Sequence, residues 1–331
     1  MLFRFSTRLL SACAVAACAL LPVAATRGQA PIEEIPPPVQ LAPGILRTIP
    51  SQVAEKSTFN GPLPLVELIQ DLQAAEYQPQ TLPQSETLAA KAKDVILRHP
   101  AWALDFAFKP VRMIEVDVPQ PNGAMKRTKV WYMVYRLTNR GQRLAPSEVV
   151  DRFGHKTFEP KVAPEPVRTF PIFKLEGLVR DAETQELERK TYMDRIVPLA
   201  IPEIQRRERP PTPLLDSVAI SREAIPVTPE GEEGGVWGVA MWTDLDPRID
   251  YFSILGEGLT SEYAMEVKGA DDYDYRFETL QLNFWRPGDA YAEHENEIRY
   301  GVRLVDSPAE QAEILKLYGQ TEPLDHRWFF R

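Results

Sequence analysis

Two acidic corners hold the residues whose types and spacing could do chemistry. Asp244, Asp246 and Asp250 fall in Asp244-Leu-Asp-Pro-Arg-Ile-Asp250, just after the tryptophans Trp237 and Trp242, and Asp271, Asp272 and Asp274 fall in Gly269-Ala-Asp-Asp-Tyr-Asp-Tyr275. Carboxylates beside indoles make Trp237, Trp242, Asp244, Asp246 and Asp250 candidates for ligand binding. The second corner is a calcium candidate, because calcium needs several hard oxygen donors. Neither corner has EF-hand spacing, and solvated turns are the ordinary reading of both. Two carboxylates could also serve glycoside hydrolysis, which depends on a spatial separation that a sequence does not display.

Other chemistries lack their signatures. The chain has no Gly-x-Ser-x-Gly elbow, no His-Glu-x-x-His, no phosphate-binding glycine loop and no dinucleotide fingerprint. His99, His155, His294 and His326 are scattered, with no pair at metal-ligand spacing. No catalytic residue and no cofactor is therefore assigned.

Residues 1–30 have the form of a signal peptide. Arg4 and Arg8 precede an apolar run from Leu9 to Ala25, and small residues precede cleavage points after Ala30, the favoured one, and after Ala25. Both cysteines, Cys13 and Cys18, lie in this leader, so the mature chain is expected to carry no thiol. Val15-Ala16-Ala17-Cys18 resembles a lipobox, which makes lipidation of Cys18 the alternative, although the residues after it stay apolar. Removing the leader, with its three arginines and no carboxylate, leaves 35 basic against 47 acidic side chains, net −12. That balance argues against nucleic acid as a partner. An unknown protein or glycan of the cell envelope is the expected one, with the mature protein periplasmic or extracellular and lacking a transmembrane helix.

The stretch Val130 to Asn139 is the most strongly written element and reads as a central strand, because both of its alternate faces are apolar. Residues 31–64 contain eight prolines and read as a linker. Residues 65–100 read as a helical segment, with apolar repeats Leu65-Leu68-Ile69-Leu72 and Leu88-Ala92-Val95-Ile96. A first β region is expected over 101–225, with Val111–Val118 joined to the central strand through Pro119-Gln-Pro-Asn-Gly123, and with Phe170–Leu178 paired to Leu187–Tyr192. Pro198–Pro213 should hold a short proline-initiated helix, and Pro226–Gly235 an exposed loop. A second β region, 236–331, is expected to contain strands at Val236–Thr243, Tyr251–Leu259, Leu280–Trp285 and Ile298–Leu304. It should close with a helix begun by the capping box Ser307-Pro-Ala-Glu310 and an aromatic end, His326–Arg331, that docks on the core.

The fold class that follows is mainly β: an antiparallel β-sandwich with a few peripheral helices. Tyr135-Arg-Leu-Thr-Asn139 and Gly256-Glu-Gly-Leu-Thr-Ser261 echo one another, which raises the alternative of two immunoglobulin-like halves. Trp131, Tyr135, Trp237, Trp242 and Phe284 are expected in the cores.

Trp131–Asn139, Val236–Pro247 and Leu280–Gly288 give the chain from about Leu88 onward a resemblance to uncharacterised exported proteins of planctomycete-type bacteria. The resemblance implies export and carries no function or site residue. The first functional expectation is a non-catalytic binding or envelope component. The alternative is a secreted carboxylate-dependent hydrolase acting on polysaccharide.

Overall fold

The computed structural model describes residues 44–50, 52–53, 69–70, 95–96, 100–119, 122–150, 152–154, 156–180, 186–267, 273–286 and 298–331. In chain order the strands are β1 (Arg47–Ile49), β2 (Ile69–Gln70), β3 (Val95–Ile96), β4 (Asp105–Phe108), β5 (Arg112–Pro119), β6 (Met125–Thr138), β7 (Leu144–Val150), β8 (Lys156–Val162), β9 (Ile172–Arg180) and β10 (Leu187–Met193). Helices α1 (Ala200–Glu208) and α2 (Ser217–Arg222) follow, then β11 (Val236–Thr243), β12 (Tyr251–Glu257), β13 (Tyr263–Val267), β14 (Tyr273–Trp285), β15 (Arg299–Tyr300), α3 (Pro308–Leu317) and β16 (His326–Phe330). The chain is mainly β, as its alternation patterns predict, with antiparallel sheets.

Strand β6 is central. Its first half pairs with β5 and its second half with β4 along one edge, while β11 pairs along the other with Trp242 opposite Trp131. Strand β1 extends this five-stranded sheet beyond β4. A second, seven-stranded sheet runs β10-β9-β12-β14-β13, with β15 and β16 also on β14. The two sheets share one core. Phe106 meets Phe173 at 5.9 Å between ring centroids, Trp131 meets Phe252 at 5.5 Å, and Phe108 meets Phe284 at 6.1 Å. Trp131, Tyr135, Trp237, Trp242 and Phe284 are all buried. Burying such side chains contributes roughly 1.5–3 kcal/mol each before entropy is counted, so the sheets are held mainly by these rings.

The outer face of β6 is covered as well. Val130, Tyr132 and Val134 pack with Ala200 and Ile204 of α1, which explains why both faces of that strand are apolar. Helix α1 stops at Arg209, whose backbone is left-handed, and Pro210 follows. Helix α3 begins as its capping box predicts, with the Ser307 hydroxyl accepting from the Glu310 N–H at 3.4 Å. Its Ile314 and Leu315 pack with Val302 and Tyr318.

Several expectations are corrected. The two β regions are not two halves: each sheet takes strands from both, with β11 on β6 and β12 on β9. Within the segment read as a linker, Ile45 and Ile49 are instead buried and β1 pairs with β4. In the segment read as helical, Ile69–Gln70 and Val95–Ile96 instead pair as a short ladder, in keeping with their β-branched residues. The strand expected over Ile298–Leu304 shortens to Arg299–Tyr300, because Gly301 takes a left-handed turn with φ near 101°. Residues 1–43 with Cys13 and Cys18, residues 54–64, most of 65–99 and the histidines His99, His155 and His294 lie outside the described residues.

Candidate functional site

Three grooves meet at Asp244. Strands β6 and β11 run antiparallel, so the start of β6, with Lys126 and Thr128, lies at the same end of the sheet as Thr243, the last residue of β11. The chain leaving β10 crosses to this end. There the Arg195 N–H donates to the Met241 carbonyl at 2.8 Å, and the Asp194 carboxylate accepts from the Met241 N–H at 2.9 Å and from the Ser217 hydroxyl. Burial pushes the Asp194 carboxyl above its ordinary range, and those two donors work against that shift. The crossing segment is thereby pinned, and Arg195, Ile196, Val197, Pro198 and Leu199 are set opposite Val118 and Pro119.

The space between them is a groove of about 630 Å³. A second, of about 640 Å³, lies between Lys190, Tyr192 and the Asp244–Arg248 corner. A third, of about 140 Å³, runs beside Lys126, Arg127, Lys129 and Trp131, and Asp244 borders all three. Asp244 takes the left-handed backbone conformation, with φ near 58°. A short polar side chain tolerates this better than most. Its carboxylate accepts from Arg195 at 3.2 Å and from the Thr243 hydroxyl at 3.1 Å, and it lies 4.0 Å from Lys126. Cations outnumber carboxylates along the walls, in a chain whose net charge is −9. Ile196 and Leu199 are exposed among them at 45% and 50%.

The ligand candidates read from the sequence separate here. Asp244 and Asp246 do line the grooves. Asp246 is committed to Arg248, which donates at 3.0 and 2.7 Å and holds its carboxyl below the usual range. Asp250 accepts from buried Arg286 at 3.5 Å, and burial raises its pKa while Arg286 opposes the rise. Trp237 and Trp242 are corrected as ligand residues. Trp237 is buried with Lys109 at 5.8 Å and Arg136 at 5.5 Å from its ring, and Trp242 is sealed between the sheets. Both follow from their place on β11, which is covered on two sides. Asp274 lies on β14 opposite Glu266, while Asp271 and Asp272 lie outside the described residues. Among the described residues, no group of three His, Cys, Asp or Glu side chains could hold a metal ion. His326 is a packing residue whose Nδ1 lies 3.0 Å from the Tyr300 hydroxyl, and burial lowers its pKa.

Sequence reasoning missed one carboxylate pair. Glu278 continues by one step the inward alternation of Leu280, Leu282 and Phe284, and its N–H donates to the Glu262 carbonyl at 3.0 Å. Burial first and the charge of Glu262 second push its carboxyl up to about 7. The folded state thus holds this proton more tightly than the unfolded chain does. Its stabilising contribution is complete below the ordinary pKa of 4.5 and is lost as pH rises through about 7. Glu278→Gln should therefore be the more stable protein at pH 8 and lose part of the parent's decline between pH 5 and 8. The gain should be no more than about 1 kcal/mol, since the group is only partly buried and so partly screened by solvent. Thermal melts at the two pH values check this, and parallel pH profiles for parent and variant would refute it.

Compared with protein-family models, curated proteins and solved structures, the chain matches none.

Proposed function

We propose that this is an exported, non-catalytic binding component of the cell envelope, whose groove at Asp244 receives an extended acidic segment of a partner protein. The observation that carries the reading is the pairing of exposed Ile196 and Leu199 with Lys126 and Arg195 along one open groove. An extended chain turns alternate side chains to opposite sides. A segment alternating aspartate with leucine could then lay its apolar side on Ile196 and Leu199 while keeping its carboxylates near the cations. Such charge matching contributes more to partner choice and association rate than to raw affinity.

Fluorescence anisotropy with a labelled Leu-Asp alternating peptide and its Leu-Lys counterpart tests the reading. The acidic peptide should bind at least about tenfold more tightly, a difference of about 1.4 kcal/mol. The preference should shrink with salt, because exposed charges are screened beyond about 8 Å at physiological ionic strength. Equal binding of the two peptides would sink the proposal. Export rests on the leader sequence; among the described residues no helix is long and apolar enough to cross a membrane. Mass spectrometry of protein from the native host decides it: an N-terminus at Pro31 or Thr26 supports cleavage, a lipidated Cys18 makes it a lipoprotein, and an intact Met1 removes the claim.

The Glu262 and Glu278 pair favours the second reading, a polysaccharide hydrolase in which Glu278, protonated near neutrality, serves as the acid. Release of reducing ends from envelope polysaccharides, abolished by Glu278→Gln, would establish it.

A further inference from the structure

The last strand builds a separate cavity. On β16 the alternation turns Trp328 into the shared core, and Arg327, Phe329 and Arg331 line a cavity of about 290 Å³ on the outer face of the seven-stranded sheet. The floor is polar and buried. The Gln281 amide nitrogen shares its two N–H groups among the Ser253 hydroxyl, the Asn283 side-chain carbonyl and the Tyr318 backbone carbonyl, each at 2.9 Å, and its oxygen accepts from Arg327 at 2.8 Å. Glu176, 9% exposed, lies between two guanidiniums, accepting from Arg331 at 2.7 Å and from Arg189 at 3.0 Å. Three guanidiniums, those of Arg189, Arg327 and Arg331, thus line a cavity whose wall holds one carboxylate, Glu176.

A guanidinium carries five N–H donors in a planar fork that matches a carboxylate two at a time. One bond from each of Arg189 and Arg331 to Glu176 leaves donors for a second anion, and Arg327 lies over the ring of Phe329 at 5.0 Å. The cavity therefore offers positive charge in excess of its own counter-ion, a fixed polar floor and an aromatic wall, the combination of a mostly preformed site with a few convergent polar groups.

We propose that this cavity binds a small organic carboxylate, its charged end held by Arg331 and Arg189 and its apolar body set against Phe329. Glu176 then acts as an internal competitor for the same two guanidiniums. The site is distinct from the grooves at Asp244 and shares no lining residue with them.

Calorimetric titration of the full chain with benzoate, with the isosteric neutral benzamide and with inorganic phosphate tests the proposal. Benzoate should bind about tenfold or more tightly than benzamide, and Glu176→Gln should tighten benzoate by about fivefold or more by removing the competing carboxylate. Arg331→Gln should weaken it. Where that change disturbs the terminal strand, Arg189→Gln at the more exposed position carries the same expectation. Equal affinity for benzoate and benzamide, no heat from either at millimolar concentration, or an unchanged benzoate affinity in Glu176→Gln would overturn the proposal. Phosphate binding as tightly as benzoate would overturn the organic half of it.

Discussion

Gly238→Ala should destabilise the protein by about 3 kcal/mol, at the upper end of what overpacking a core costs. Gly238 lies directly opposite Tyr135 in the β6–β11 ladder. A Cβ there would stand 2.4 Å from the Tyr135 ring carbon that bears the hydroxyl and 2.5 Å from the Ile220 methyl. The ring cannot step aside, because it packs on Phe173 at 4.7 Å and on Phe106 at 5.7 Å between centroids. If the clash with Tyr135 is the cause, Tyr135→Leu in the same chain should recover part of the loss. Urea unfolding of the two single variants and the double variant would then show a favourable coupling of about 1 kcal/mol or more. Strict additivity would place the cost elsewhere.

Lys109→Met should cost a similar amount, about 3 kcal/mol, for an electrostatic reason. Lys109 and Glu208 are both buried, with the ammonium 3.5 Å from the carboxylate and donating at 2.6 Å to the Glu208 carbonyl. Tyr132 donates to the same carboxylate at 2.9 Å, and Arg112 stands 3.6 Å away. Removing the lysine leaves a buried carboxylate short of its nearest cation and removes a donor from the carbonyl end of α1. Glu208→Gln added to Lys109→Met should return more than half of the loss, since the stranded charge is then gone. Denaturant midpoints of the parent, the singles and the double provide the cycle. A double variant as unstable as the sum of the singles would mean that the ion pair contributes no coupling.

The elements legible in the sequence are those whose side-chain period and end signals agree. Strand β6 shows both faces as apolar alternation, α3 announces itself by Ser307 and Glu310, and the aromatic end of the chain docks as β16. The β7–β8 hairpin was hidden because Pro146 and Pro160 sit within its strands, facing one another in register. Proline reads as a strand breaker, yet this ribbon forms a two-stranded sheet of its own, and such edges tolerate proline. Prolines likewise disguised Ile45 and Ile49 as linker. The acidic corner at Asp244 was visible, but its cationic neighbours were not. Lys126 and Arg195 are distant in sequence, and it is the β6–β11 register and the crossing after β10 that assemble them. The arginine cavity was equally invisible, because Glu176, Arg189, Gln281 and Arg327 come from four strands.

The groove at Asp244 is tested most directly by reversing its charge. Lys126 and Arg195 have side chains 61% and 65% exposed, so Lys126→Glu with Arg195→Glu should leave the fold intact. The groove reading predicts that this double variant loses about tenfold or more in affinity for the Leu-Asp peptide and gains affinity for the Leu-Lys peptide, inverting the parent's preference. A double variant that melts like the parent and still binds both peptides as the parent does would contradict the assignment of this groove as the binding site.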